Sequence, residues 1–168
     1  MRAFLFRLAE LPTICAAVAL FVMMAMTFCD VVLRSVANAP IEAATELTRI
    51  LMAVVVFAVM PAISARGGHI SVDLLDRFFT RRTARWRDGA ISLLCGAMMW
   101  WPVERVAVLA ERARSYGDVT EYLGIPQHLI AWGVAIFAGL TMIALIARGV
   151  GILVWGDAAR LEAGAEGA

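Results

Sequence analysis

The sequence predicts an all-α, polytopic membrane protein with four transmembrane helices, and two observations carry that prediction. Apolar residues make up 62% of the 168 positions, and the mean hydropathy is +0.80; a soluble domain is roughly 45–50% apolar. The charges are also spaced to leave four uncharged runs: Leu11–Cys29 (19 residues), Ile50–Ala65 (16), Gly89–Val103 (15) and Tyr122–Ala147 (26). About 20 mostly apolar residues in a helix cross a ~30 Å hydrocarbon core. The first and last runs meet that length alone, and the middle two must borrow neighbours. Backbone groups cannot stay unpaired in lipid, so each run is expected to be helical.

The expected helices cover 11–33, 41–65, 88–112 and 125–150, with 1–150 forming the transmembrane domain and 151–168 a short cytoplasmic tail. The first run is longer than the 7–15 residues of a signal-peptide core. Asp30 and Arg34 separate it from the cleavage-like Val36-Ala37-Asn38-Ala39. The first helix is therefore expected to be retained. Asn38-Ala39-Pro40 and Ile125-Pro126 are helix-start signals, since proline is tolerated in a first turn. Pro61 and Pro102 fall inside the second and third helices and should kink them.

Arginine placement predicts orientation, because basic residues concentrate on the cytoplasmic side. One side carries Arg2, Arg7, Arg66, Arg77, Arg81, Arg82, Arg85, Arg87, Arg148 and Arg160; the other has Arg34, Arg49, Arg105, Arg112 and Arg114. Ten against five places both termini in the cytoplasm. Trp86 and Trp155 then fall at the inner interface, and Tyr116 and Tyr122 near the outer one. In the cytoplasmic loop, residues 71–79 form an amphipathic piece with Ser71 as cap, Asp73 and Asp76 in the first turn, and Val72, Leu75 and Phe79 on one face. It is expected to lie on the membrane surface, with Arg81, Arg82, Arg85 and Arg87 among lipid head groups.

Little in the chain suggests chemistry of its own. All fifteen basic residues are arginine, the net charge is +1, and neither points to nucleic acid. Cys15, Cys29 and Cys95 lie in apolar runs without metal or redox spacing and read as small hydrophobic residues. No nucleophile elbow, metal cluster or phosphate loop occurs, so no enzymatic activity and no cofactor are expected. His69 and His128 fall on opposite sides of the membrane and cannot jointly ligate a haem; His69 reads as a loop hydrogen-bonder or a partner contact.

Substrate and proton sites need ionisable groups near mid-membrane, and here the charges of the second and third helices lie toward one end. At ~1.5 Å per residue, Arg49 and Glu104 both stand about 24 Å from the inner ends of their helices. A mixed network of Glu46, Arg49, Glu104 and Arg105 is therefore expected to join the second and third helices, with separate snorkelling of each as the alternative. Ala131, Ala135 and Gly139 recur every four residues, a small-residue stripe suited to close packing within the chain or against a partner.

Four features in order then resemble a known family. They are Arg34 ending the first helix; Pro40-Ile41-Glu42 with Glu46-Leu47 and Arg49 opening the second; Arg66-Gly67-Gly68-His69-Ile70-Ser71-Val72-Asp73 closing it; and Asp118-Val119-Thr120 with Ile125-Pro126 before the fourth. Over roughly residues 10–150 the chain resembles the small permease subunit of tripartite ATP-independent periplasmic (TRAP) transporters, the DctQ-like type. The family often has an aromatic residue just before the paired acidic residues, where Ile41 and Ala44 stand here. The resemblance implies a scaffold in the bacterial inner membrane, partnered by a large multi-helix permease subunit and a periplasmic solute-binding protein. It also implies sodium-driven uptake of an organic acid. Glu42, Glu46, Arg49, Arg66, His69, Asp73 and Asp118 are the motif positions it singles out. A membrane anchor for a redox or signalling enzyme is the alternative, and a self-sufficient homo-oligomeric transporter a third.

Overall fold

The computed structural model describes residues 2–67 and 81–155. Five helices occur there: α1 (Arg2–Ala37), α2 (Ala44–Arg66), α3 (Arg81–Met98), α4 (Trp100–Tyr116) and α5 (Gln127–Trp155). They provide four spans apolar and long enough to cross a membrane, with α3 and α4 together making the third, Arg85–Tyr116. The first and fourth expected helices are each longer than the sequence suggested, and the third is divided. Asp73 and the 71–79 piece, His69, and the tail beyond residue 155 lie outside the described residues; so does the side chain of Arg66.

The division falls at Met99, three residues before Pro102. Proline has no N–H to offer the Met98 carbonyl and its ring crowds the preceding turn. Helical bonding nonetheless continues across the break, from Met99 N–H to Cys95 O (3.0 Å) and Val103 N–H to Met99 O (3.2 Å). Pro61 sits inside α2, which runs through it without interruption.

Packing follows a row. α1 packs on α2, α2 on α5, and α5 on both α3 and α4. Small side chains set the seams. Among the described side chains of α1, from Thr13 on, the buried positions are Ala16, Ala19 and Asp30, with Met23 and Met26 half-buried between them. That 3–4 spacing is the one that keeps a stripe facing a neighbouring helix. On α5 the buried positions are Ala135, Ala138, Thr141, Leu145, Gly149 and Ile152. Glycines line the seam that joins α5 to α3: Gly149 faces Leu93 and the Gly89 carbonyl, Gly89 faces Leu153, and Gly96 faces Ile146.

The expected stripe is only partly this seam. Ala135 is buried, whereas Ala131 and Gly139 are half-buried, and a Cβ at Gly139 would meet nothing within 4 Å. Residues four apart advance about 40° around a helix of 3.6 residues per turn, so such a stripe winds off a seam that alternates threes and fours.

Helix ends are closed by specific groups. Gly117, in the left-handed region at φ 69°, ends α4, with its N–H on Arg114 O and the Asp118 N–H on Ala113 O, the Schellman pattern. Gly67, also at φ 69°, ends α2, and the Arg148 guanidinium occupies the space its Cβ would need. That puts a cation against the negative end of α2. Arg85 donates to the carbonyls of Ile152 (2.8 Å) and Leu153 (2.6 Å) in the last turn of α5, and Arg87 pairs with Asp88 at 2.9 Å. Arg85 and Arg87, expected among head groups, thus also have partners within the chain: helix carbonyls and a neighbouring carboxylate.

Candidate functional site

The motif residues concentrate where the α1–α2 and α4–α5 connections lie, the hairpin end of the row. Two carboxylates organise it. Asp30, buried in the last turns of α1, accepts the Ile41 N–H on Oδ1 (2.8 Å) and Arg34 on Oδ2 (3.0 Å). The Ile41 amide precedes α2, so this one side chain sets how the chain enters the second span.

Glu46, in the first turn of α2, is half-buried and reaches across to the α4–α5 connection. Its Oε2 accepts the N–H groups of Leu123 (2.9 Å) and Tyr122 (3.3 Å). That connection is itself tightly wound. Thr120 N–H donates to Ile125 O (2.9 Å), Gln127 N–H to Asp118 O (3.0 Å), and Ile125 N–H to the Thr120 hydroxyl (2.9 Å). The turn therefore exposes consecutive N–H groups on one side, a concave donor surface suited to an anion, and Glu46 supplies the anion.

The expected network of Glu46, Arg49, Glu104 and Arg105 is not formed. Arg49, Glu104 and Arg105 are exposed, and among the described residues no hydrogen bond or ion pair joins them to Glu46 or to each other. α2 and the third span both pack on α5 rather than on each other, so similar distances along the two helices do not bring these charges together. Glu42 and Asp118 are exposed at the same end, and Asp118 contributes its carbonyl to the turn. Sequence reasoning missed Asp30 as an organiser and treated it only as the charge ending the first run. Its i,i+4 spacing to Arg34 in an otherwise apolar helix was the available signal.

Between α2 and α5 runs an apolar groove of about 140 Å³, lined by residues such as Phe57, Gly133 and Phe137. It offers no side-chain donor, acceptor or charge to a polar solute. The carboxylates, arginines and histidines of the described spans sit toward their ends: none falls within 13–29, 50–65, 89–103 or 129–147.

Removing the Glu46 clamp should release the turn it holds. In Glu46→Ala the amides of Tyr122 and Leu123 are expected to exchange hydrogen roughly tenfold faster, because only local bonds then protect them. Glu46→Gln keeps a neutral acceptor and should fall between. Unchanged exchange at both amides in the alanine variant would show that the turn needs no clamp.

Among curated proteins no sequence matches the chain. The family described as Tripartite ATP-independent periplasmic transporters, DctQ component, matches residues 23–153, from the middle of α1 to the end of α5. That stretch takes in the later part of the first span, the second and third whole and nearly all of the fourth, with the Asp30 and Glu46 clamps and the Gly149 seam. The chain belongs to the DctQ component family of the tripartite ATP-independent periplasmic transporters.

Proposed function

We propose that this chain is the small membrane subunit of a TRAP-type secondary transporter, bracing a large permease subunit that takes up an organic acid, of carboxylate type, on a sodium gradient. A periplasmic binding protein delivers the acid. The chain sits in the bacterial inner membrane with both termini in the cytoplasm and performs no catalysis. The observation that carries this reading is the charge-free middle of all four spans. An anionic solute and its coupling ion need polar ligands near mid-membrane, so these must come from another subunit.

Reconstitution tests the division of labour. Proteoliposomes holding this chain alone should show no organic-acid uptake, and uptake should require the large subunit and the binding protein. Robust sodium-driven uptake by the chain alone would overturn the reading.

Orientation has its own check. Ser35, Thr83 and Ser115 are all exposed, so accessibility at each depends on the side it faces. With Cys15, Cys29 and Cys95 replaced, cysteines at Ser35 and Ser115 should react with an impermeant thiol reagent in spheroplasts, and one at Thr83 should not. Labelling at Thr83 alone would invert the topology.

A further inference from the structure

The exposed surfaces of the row are not alike. On α5 the outward stripe includes Leu129, Trp132, Ile136, Leu140, Ile143 and Val150, aliphatic side chains that hydrocarbon solvates well apart from Trp132 near the start of the helix. On α4 the seam toward α5 is Val103, Val106, Ala107, Ala110 and Ala113, all half-buried or buried. The opposite face carries Trp100 and Trp101, 63% and 73% exposed, and one turn on Glu104 and Arg105, also exposed.

Depth makes that face unusual. Asp88 is the last charge before the third apolar run. At ~1.5 Å per residue, Trp101 lies about 20 Å beyond it and Glu104 and Arg105 about 24–26 Å. All four fall within a ~30 Å core. Tryptophan facing lipid favours the interfaces, where its N–H finds an acceptor, and charges at membrane depth face protein or water. Among the described residues, neither indole N–H and neither charge has a hydrogen-bond or ion-pair partner. Arginine can snorkel over a few ångströms; two rigid indoles and the shorter glutamate have less reach.

We propose that the Trp100–Trp101–Glu104–Arg105 face of α4 is the docking surface for the large permease subunit. The occupant is a transmembrane helix that presents a hydrogen-bond acceptor opposite the indoles and charges complementary to Glu104 and Arg105. This rests on the reading given under Proposed function. Tryptophan and arginine are among the side chains that most often dominate interface energetics. The aliphatic stripe on α5 remains with lipid.

The test is co-purification from cells expressing a tagged form of this chain together with the large subunit. Trp100→Leu with Trp101→Leu, and separately Glu104→Gln with Arg105→Gln, should each reduce the retained large subunit about tenfold. The control Ile136→Ala with Ile143→Ala should retain it as wild type does. Far-UV circular dichroism of each variant expressed alone should be unchanged, separating docking from folding. A second measurement keeps Trp101 as the only tryptophan, with Trp86, Trp100, Trp132 and Trp155 changed to Phe. Brominated phospholipid should quench its fluorescence in the isolated chain and not in the complex. Full retention by the tryptophan and charge variants, or equal loss in the α5 control, would overturn the proposal. So would a wild-type homodimer that the tryptophan changes dissociate, since the occupant would then be a second copy. If wild type retains no large subunit, the functional reading itself fails, a result independent of any variant.

Discussion

Replacing Gly149 by leucine is expected to be the most damaging single change in this fold. A Cβ at this position already stands 3.1 Å from the Gly89 carbonyl and 2.8 Å from Leu93 Cγ. Leu93 can turn aside; the carbonyl belongs to the α3 backbone and cannot. Leucine therefore has to push α3 and α5 apart, and overpacking of that kind costs about 1–3 kcal/mol or more. Alanine carries the same Cβ and so must also displace Leu93 and crowd the carbonyl, but it adds no further atoms, and its better helix propensity offsets up to ~1 kcal/mol of that cost. Gly139→Leu provides the contrast, since the space there is open. Thermal unfolding of the purified chain in detergent should show a large loss for Gly149→Leu, a smaller loss for Gly149→Ala and little change for Gly139→Leu. Equal behaviour of the two leucine variants would mean that the α3–α5 seam is not close-packed.

A second sizeable loss is expected at Asp30, where two interactions can be separated by the substitution chosen. Arg34 is exposed, its side chain 65% accessible, and an ion pair of that kind contributes about 0–1 kcal/mol. The Ile41 N–H is a different matter, because a partly buried backbone donor left without an acceptor costs about 1–3 kcal/mol. Asp30→Asn keeps an oxygen for Ile41 and gives up only the charge, so it should remain close to wild type. Asp30→Ala removes both and should lower the unfolding midpoint by several degrees, at roughly 2–4 °C per kcal/mol for a protein of this size. If asparagine proves as harmful as alanine, the ion pair with Arg34 is the dominant interaction and the assignment is reversed.

Both residues were visible in the sequence, yet neither was recognisable there as an organiser. Gly149 stands one residue beyond Arg148, the charge that closes the fourth run, and Asp30 read as the charge that closes the first. What makes them matter is the identity of the atom opposite: a backbone oxygen for Gly149 and the amide that precedes α2 for Asp30. The Glu46 clamp is similar. Its position near the start of α2 was read correctly, but its partners are backbone amides in a turn some 76 residues away, and amides have no sequence signature.

By itself the sequence determined how many times the chain crosses the membrane, because that number depends only on runs long enough to span hydrocarbon and on charges that must stay near the ends. It also set the expectation that Arg49 and Glu104 stand at similar distances along their helices, since rise per residue is constant. Only the tertiary structure decided which helices are neighbours. Lipid solvates one apolar helix face about as well as another, so hydrophobic pattern does not choose partners in a membrane; close-fitting small residues do. Gly89, Gly96 and Gly149 seat α3 against α5, and α2 packs on α5 as well. That puts Glu46 beside the α4–α5 turn instead of beside Glu104, and leaves the tryptophans and charges of α4 facing outward.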